Sequence, residues 1–346
     1  MAALLSLVVL SLIIADKLTS PPHLERRIAA IVGPKYKVDI GDATYNPIRG
    51  TFSADYIAIE PDTVKYKEAR RKTWNFTATA IRIEGMRHWA LLRKNFDARE
   101  IHVHTPRLRV YLDRRVAPKK IHRPSTLPQE HLRRIDNAVR VDNILVTDGE
   151  IVLTECAVDG VRPGTFVFAD IAAMITNVSN DPSRMSMPCT IDVRSRLADE
   201  GAMHGIFEYD LSSDSLTLDG EGAIGKMEAS KLNDLILNLN GIYVRSGTID
   251  STWFDIHIKD DVATGKVRCL YRGMEFVLVD KNSHEQNLKH QLVTLFKETR
   301  DANPHEPGQL PMTAAVNLRR EPDDNVIKFV WLTVRQGLLR TLGVVN

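Results

Sequence analysis

Apolar and polar residues alternate along most of the chain that follows residue 36. The segments TAIRIEG, EIHVHT, RLRVYLD, TIDVRSRLAD, IFEYDLS and WFDIHIKDD all repeat with a period of two. This period is typical of half-buried antiparallel strands, and it predicts roughly 13 to 16 of them before Asp280. We expect tight hairpin turns at Asp148-Gly149, Asp159-Gly160 and Asn240-Gly241, because these pairs favour the backbone angles that short hairpins need.

Helical patterns are confined to shorter segments. LERRIAAIVG predicts a short helix that ends at Gly33-Pro34, and MRHWALLRK and MEASKLNDLIL predict two more. After Asp280 the pattern becomes helical in EQNLKHQLVTLFKE. The Pro-rich connector NPHEPGQLP follows, and NVIKFVWLTVRQGLLRTLG then predicts an amphipathic helix.

A long meander with one apolar face must cover that face with a second layer. The predicted helices are too few to cover so many strands. The fold class is therefore mainly β: a long antiparallel meander curled into a taco-like groove or sandwich, with an N-terminal membrane helix and C-terminal amphipathic helices. An incompletely sealed apolar lining suits acyl chains. The candidate groove residues, each also compatible with an ordinary core position, are Ile101, Val103, Leu108, Val110, Phe207, Tyr209, Phe254, Ile256, Ile258, Met274 and Phe276.

The first 15 residues, MAALLSLVVLSLIIA, contain no charged side chain. As a helix they span about 22 Å, slightly less than the hydrocarbon core of a bilayer, and they lack the basic segment of a signal peptide. We therefore expect a membrane anchor and leave its true start open. The chain divides into this anchor (1–16), a short linker helix (17–34), a β-groove domain (35–280) with a long basic loop (114–134), and a helical C-terminal region (281–346).

The charges are nearly balanced, with 46 Lys and Arg against 44 Asp and Glu and a net charge of +2. Nucleic-acid binding usually needs a strongly basic face, so we expect no nucleic-acid partner. Cys156, Cys189 and Cys269 are widely spaced and predict neither a disulfide framework nor a zinc ribbon. We expect buried free thiols, with a single disulfide as the open alternative.

Two patterns resemble chemical sites but have simpler explanations. Gly220-x-Gly222-x-x-Gly225 has the spacing of a dinucleotide-binding turn, yet the surrounding meander lacks the alternating strands and helices that this turn requires. We interpret these glycines as hairpin and strand-end residues, where positive φ is useful. His102 and His104 share a strand face, but no carboxylate or cysteine at a familiar spacing completes a metal site. We expect solvated histidines, no metal and no cofactor.

Catalytic motifs are not evident either. The sequence has no nucleophile elbow and no phosphate-binding loop. The paired carboxylates Asp260-Asp261 and Asp323-Asp324 lie at turn-like positions, where solvated side chains are the rule. We expect the protein not to be an enzyme.

The loop at 114–134 is polar, basic and Pro-containing. Each basic side chain near an anionic membrane surface contributes about 1 kcal/mol of attraction, although a solvated loop explains this composition as well. Trp331, on the last predicted helix, suits either a membrane interface or a position that caps the sheet. The membrane-surface candidates are Arg114, Arg115, Lys119, Lys120 and Trp331.

Several longer segments carry a family resemblance. KYKVDIGDATYNPIRGTFSADYIAIEPD follows the anchor and short helix, RVDNILVTDGEIVLTE precedes GTFVFADIAAMITNVSND, and SKLNDLILNLNGIYVRSGTIDSTWFDIHIKDDVATGKVRCLYRGMEFVLVD follows later. Their order and patterns resemble the AsmA-like proteins, which belong with TamB to a superfamily of the bacterial envelope. The resemblance implies a single-pass protein of the bacterial inner membrane, with the bulk of the chain in the periplasm and an apolar groove in its curled sheet.

The larger members of that superfamily serve as groove-like bridges for phospholipid. This chain is much shorter, and its anchor lacks a cytoplasmic basic flank. We expect a non-enzymatic protein that binds or transfers lipid acyl chains in cell-envelope and outer-membrane biogenesis, with phospholipid or another lipid and envelope proteins as partners. The alternative is an envelope assembly scaffold or protein-interaction module with a closed β core. An open apolar trough would favour lipid, and a filled interior would favour the scaffold.

Overall fold

The computed structural model describes residues 25–26, 28–29, 32–33, 35–62, 71–93, 95–117, 127–157, 163–240, 242–278, 313–322 and 324–342. The anchor expected at 1–16 lies outside these residues. So do the helix expected for EQNLKHQLVTLFKE and the Pro-rich connector that follows it.

The fold is mainly β. Within the described residues, seventeen strands form one large, open, mixed sheet. The strands are β1 (Tyr36–Ile40), β2 (Ala43–Asn46), β3 (Thr51–Ala54), β4 (Ile57–Pro61), β5 (Lys72–Ala78), β6 (Ala80–Glu84), β7 (Phe96–His104), β8 (Arg107–Asp113), β9 (Val139–Cys156), β10 (Gly164–Ser179), β11 (Cys189–Leu197), β12 (Gly201–Tyr209), β13 (Leu218–Ile224), β14 (Met227–Glu228), β15 (Ile242–Lys259), β16 (Val262–Leu278) and β17 (Thr313–Arg319).

Most of the short helices occur where the sequence predicts them, but α2 (Pro128–Arg133) lies within residues 114–134, which were expected to form a long loop. These helices are α1 (His88–Leu92), α2 (Pro128–Arg133), a 3-10 helix (Ala229–Leu232) that leads into α3 (Asn233–Asn240), and α4 (Val326–Thr341). Residues near Ile28 are also helical. That helix ends at Gly33, whose φ is 98° and whose N–H donates to the Ala29 carbonyl over 2.9 Å.

The long strand β9 organises the sheet. On one side it pairs in parallel with β7 along its first half and with β8 along its second half. On the other side it pairs antiparallel with β10, and antiparallel pairing continues through β11, β12, β13, β15 and β16 to β17. One arm runs from β8 through β5 and β4 to β1, and a second runs from β7 through β6 and β3 to β2. The prediction of a purely antiparallel meander is therefore wrong at the two parallel pairings.

Asp148-Gly149 does not form the hairpin that its sequence predicts. It lies inside β9, where Asp148 adopts a φ of 54° and the register with β10 shifts around Ile171. Asp148 therefore forms a bulge, a local irregularity that bends a strand without ending it. A tight hairpin occurs instead at Asp260-Asp261, where both residues have positive φ, as a type I′ turn requires.

Two other expectations about turns and helices need correction or fall outside the description. Asn240 ends α3 and leads into β15, so it does not connect two strands; Gly241 and Asp159-Gly160 lie outside the described residues. The region assigned to helices after 281 contains the strand β17, which pairs with β16. Its segment TAAVNLR is short and lies beside a Pro-rich stretch, so its strand character depends on pairing with a distant partner.

The apolar face of the sheet is buried in two large clusters. The first joins residues of both arms, such as Ile40 and Phe52, with Ile258 and Ala263 from β15 and β16. The second lies beneath α3 and α4. Cys156, Cys189 and Cys269 are buried and free, as expected, and burial raises the pKa of Cys189 to about 12.

The helix α4 packs closely on the sheet through Gly337. A β-carbon at this position would lie 2.5 Å from Cβ of Val267 and 2.9 Å from Cγ1 of Val316. Phe329 on the same helix is completely buried, and the Tyr271 hydroxyl donates to the Thr341 carbonyl over 3.1 Å. These contacts place α4 over β16 and β17.

Candidate functional site

The predicted groove residues are mostly core. Eight are buried: Ile101, Val103, Leu108, Tyr209, Phe254, Ile256, Ile258 and Met274. Val110 and Phe207 are half-buried. Phe276 on β16 pairs with Val244 on β15, and the side chain of Phe276 lies outside the described residues. The buried residues are divided between the two clusters, so they do not form one open apolar surface.

A small cleft lies where α4 crosses β5, β8, β9 and β10. Its cavity has a volume of about 50 Å³, which is far smaller than the several hundred Å³ of a typical small-molecule pocket. The apolar lining residues are Val110, Leu112, Leu153, Phe166, Trp331 and Leu332. The polar lining residues are Lys72, Thr154, Glu155, Asn325, Lys328 and Arg335. The cleft thus places cationic groups beside an apolar wall.

The local sequence of α4 explains this arrangement. Asn325 caps the helix by accepting a hydrogen bond from the Lys328 backbone N–H over 2.9 Å. Residues 328, 331, 332 and 335 are separated by three or four positions and therefore lie on one helical face. Trp331 anchors this face, because its ring centroid lies 4.0 Å from that of Phe166 on β10.

The charged groups at the rim are connected through Glu155. Its carboxylate forms an ion pair with Arg114 and lies 4.0 Å from the Lys328 ammonium. Lys328 also contacts Asp324 over 2.7 Å, and both side chains are almost fully buried. The negative charge of Glu155 is thus shared between two cations.

Arg335 is the rim cation that these carboxylates do not neutralise. Burial lowers the pKa of Arg335, Glu155 opposes this effect, and the positive charge of Arg114 adds to it. In the described part of the chain, no carboxylate comes within ion-pair distance of the Arg335 guanidinium. The buried Nε1 of Trp331 likewise finds no hydrogen-bond acceptor among the described residues. The Arg335 guanidinium can therefore donate hydrogen bonds to an anionic or oxygen-bearing ligand in the cleft.

The structure gives the membrane-surface candidates different environments. Arg115 is exposed, and its guanidinium donates two hydrogen bonds to the Asp113 carboxylate. Arg114 belongs to the rim described above, and Trp331 is buried against Phe166, so its ring caps the sheet and does not face a membrane surface. Lys119 and Lys120 lie outside the described residues.

The glycine motif has a packing role. Gly220 and Gly222 lie within β13 and pair directly with Phe207 and Phe254 on the neighbouring strands. Added β-carbons would overlap these rings, at 2.7 Å from Cε1 of Phe207 and 2.9 Å from Cε1 of Phe254. The aromatic rings thus cover the glycines, a known way to stabilise glycine in sheets. The expectation that these two glycines occupy hairpins or strand ends is wrong.

The histidine pair has carboxylate neighbours that sequence spacing did not predict. Glu84 on β6 pairs directly with Glu100 on β7, and Glu100 contacts His102. One ligand atom from each of these three residues lies within 4.8 Å of the others. The register between β6 and β7 creates this cluster, because Glu84 is distant from His102 in sequence.

The sequence analysis identified only some of the residues around the cleft. Val110, Arg114 and Trp331 were among the candidates, whereas Leu153, Phe166 and Arg335 were not. The spacing of α4 offered a signal for Arg335, which lies one helical turn after Trp331. No local signal indicated which strands would face the helix.

Comparison with known proteins does not identify a family. No family model and no curated protein matches the chain. Among the helices that the structure describes, none combines the length and the apolarity needed to cross a bilayer.

Proposed function

We propose that the protein is a non-enzymatic, membrane-anchored lipid-binding protein of the bacterial cell envelope. Its residues 1–16 would hold it in the inner membrane, with the bulk of the chain in the periplasm. The bound species is an anionic phospholipid or another acyl lipid. The observation that carries the proposal is the guanidinium of Arg335, which lies unpaired within the described residues beside an apolar wall.

The chemistry of the cleft fits the junction between a lipid head group and its acyl chain. Arg335 supplies a planar set of donors suited to a phosphate or carboxylate. Leu112, Leu153 and Phe166 offer apolar contact, worth about 0.8 kcal/mol for each CH₂ removed from water. The cavity of about 50 Å³ receives only the first part of a chain. A longer acyl chain therefore requires α4 to move away from the sheet, which would expose a taco-like groove.

The test is native mass spectrometry of the full chain, purified in mild detergent and exposed to vesicles that contain anionic phospholipid. We expect one retained lipid per protein. Arg335→Gln should weaken retention about tenfold, since a hydrogen bond to a charged group contributes roughly 1.5–3 kcal/mol. Val110→Phe should block the cleft. Arg194→Gln, on the exposed face of β11, is the matched control and should retain lipid.

A second candidate is an envelope scaffold or interaction module whose β core is filled by its own side chains. The burial of the predicted groove residues favours it, because an interior filled by its own side chains leaves little room for a lipid. Ile48 and Trp89 also remain exposed near one edge, where Tyr45 and His88 join the β2–β3 turn to α1. A folded wild-type protein that retains no lipid in the experiment above would overturn the first candidate and leave the second.

A further inference from the structure

We propose that Glu84, Glu100 and His102 form a binding site for a first-row divalent metal ion, with Zn²⁺ as the best-suited ion. The site lies on the polar face of β6 and β7, opposite the buried Ile101 and Val103. It is separate from the cleft beside α4 and does not depend on lipid binding.

The strand geometry brings the three ligands to one place. Glu84 and Glu100 are direct cross-strand partners, and His102 follows Glu100 by two residues, so its side chain leaves the sheet on the same face. Their ligand atoms lie within 4.8 Å of one another. Ligands about 2.0–2.2 Å from a tetrahedral ion lie about 3.3–3.6 Å from one another, so side-chain rotations that bring the three groups together by about 1 Å complete the geometry.

The charges of the cluster favour a cation. Two carboxylates directly opposite each other on a sheet destabilise the pairing, and a bound cation relieves this repulsion. Arg99 lies 3.5 Å from Glu84, and Arg82 pairs in register with His102. Arg82 and Arg99 are exposed, so both can turn toward solvent when a metal ion enters.

The ligand set points to Zn²⁺ or a similar ion over Mg²⁺ and Ca²⁺. Imidazole is a preferred ligand of zinc and its first-row neighbours, whereas the harder ions select oxygen ligands alone. The His104 ring is parallel to that of His102, with an interplanar angle of 9°, and it contacts Thr147 over 3.0 Å. The centroids of the two rings lie 6.2 Å apart, so His104 is a neighbour of the site and is not counted among its ligands. Three protein ligands leave a fourth position for water.

The experiment measures Zn²⁺ binding by competition with a chromophoric chelator, on the untagged full chain. We expect one bound Zn²⁺ that excess Ca²⁺ does not displace. Glu84→Gln, Glu100→Gln and His102→Gln should each weaken binding at least tenfold, while circular dichroism shows an unchanged fold.

The matched control is His204→Gln. His204 faces solvent and pairs with a single carboxylate, Asp192, over 2.9 Å, so this variant should bind Zn²⁺ as the wild type does. Zn²⁺ should also raise the melting temperature of the wild type and of His204→Gln, but not that of His102→Gln. A folded wild type that binds no Zn²⁺, or binding that survives all three ligand substitutions, overturns the proposal. If His102→Gln does not fold, the more exposed Glu84→Gln decides the outcome.

Discussion

Gly337 sets the distance between α4 and the sheet. Gly337→Ala improves helix propensity by about 1 kcal/mol, but its methyl group would overlap Val267. Overpacking of a core costs about 1–3 kcal/mol, so we expect a net loss of up to about 2 kcal/mol in the free energy of unfolding. Urea denaturation measures this loss as a lower midpoint.

Two further variants separate the overlap at Gly337 from a general effect of adding a methyl group. Gly225→Ala meets only ordinary contacts, the nearest at 3.4 Å from the Ala202 carbonyl oxygen, and should leave the midpoint nearly unchanged. In a Val267→Ala background, Gly337→Ala should cost less, because the smaller side chain leaves room. An equal cost in both backgrounds would contradict close packing as the cause.

The stability of the protein should depend on pH through His257, an exposed residue of β15. A hydrogen bond from His257 Nδ1 to Asp219 raises the pKa of His257, and the negative charge of Asp255 adds to this rise. A raised pKa stabilises the fold at pH values below the unfolded value of about 6.5. That stabilisation disappears as the pH rises through the folded pKa. It should be small, because the imidazole is exposed.

An NMR titration of the His257 ring protons tests this expectation. The wild-type midpoint should lie above that of an unfolded histidine, and Asp219→Asn should lower it. A midpoint that is unaffected by Asp219→Asn would show that the hydrogen bond is not the cause.

At the level of the element, α4 depends on its N-cap. Asn325→Ala removes the acceptor for the Lys328 N–H and should lower the free energy of unfolding by about 1 kcal/mol. Asn325→Asp keeps an acceptor and should stay close to the wild type. Thermal denaturation of the three proteins measures the difference. A loss of equal size in Asn325→Asp would rule out capping as the explanation.

The elements differ in how far their sequences determine them. Strict alternation in β7, β12 and β15 is sufficient to predict half-buried strands, and Gly33 is sufficient to end its helix. Asp148-Gly149 has the sequence of a hairpin turn but forms a bulge within β9. The strand continues there because β10 pairs with β9 on both sides of the bulge. Parallel pairing of β9 with β7 and β8 depends on distant residues, so no local pattern predicts it.

On the scale of the whole molecule, Phe207 links the two apolar clusters. Its half-buried ring packs against both of them and lies over Gly220. Phe207→Ala should destabilise the protein by roughly 2–3 kcal/mol, somewhat less than the loss of a fully buried ring. Hydrogen exchange should become faster in peptides from both clusters, since the ring supports each of them.

The neighbouring residue provides the control for Phe207→Ala. Ile206 lies on the opposite face of β12 and is partly exposed, so Ile206→Ala should leave exchange in both clusters almost unchanged. Faster exchange in only one cluster after Phe207→Ala would show that the clusters unfold independently.

The candidate sites illustrate what only the assembled molecule reveals. The cleft combines side chains from β5, β8, β9, β10 and α4, and the metal site depends on the register that sets Glu84 against Glu100. Sequence patterns identified Trp331 and His102 as residues of interest. Their partners could not be predicted, because register and helix docking are set by long-range packing and not by local preference.

The position of β9 has a consequence for synthesis of the chain. Phe96 pairs with Val139 and Arg107 pairs with Glu150, so β7 and β8 emerge from the ribosome well before the strand that joins them. Until then both strands present unpaired backbone groups, which are open to pairing with other chains. Because non-local pairing is also slow to form, the nascent N-terminal arms need protection from aggregation until β9 arrives.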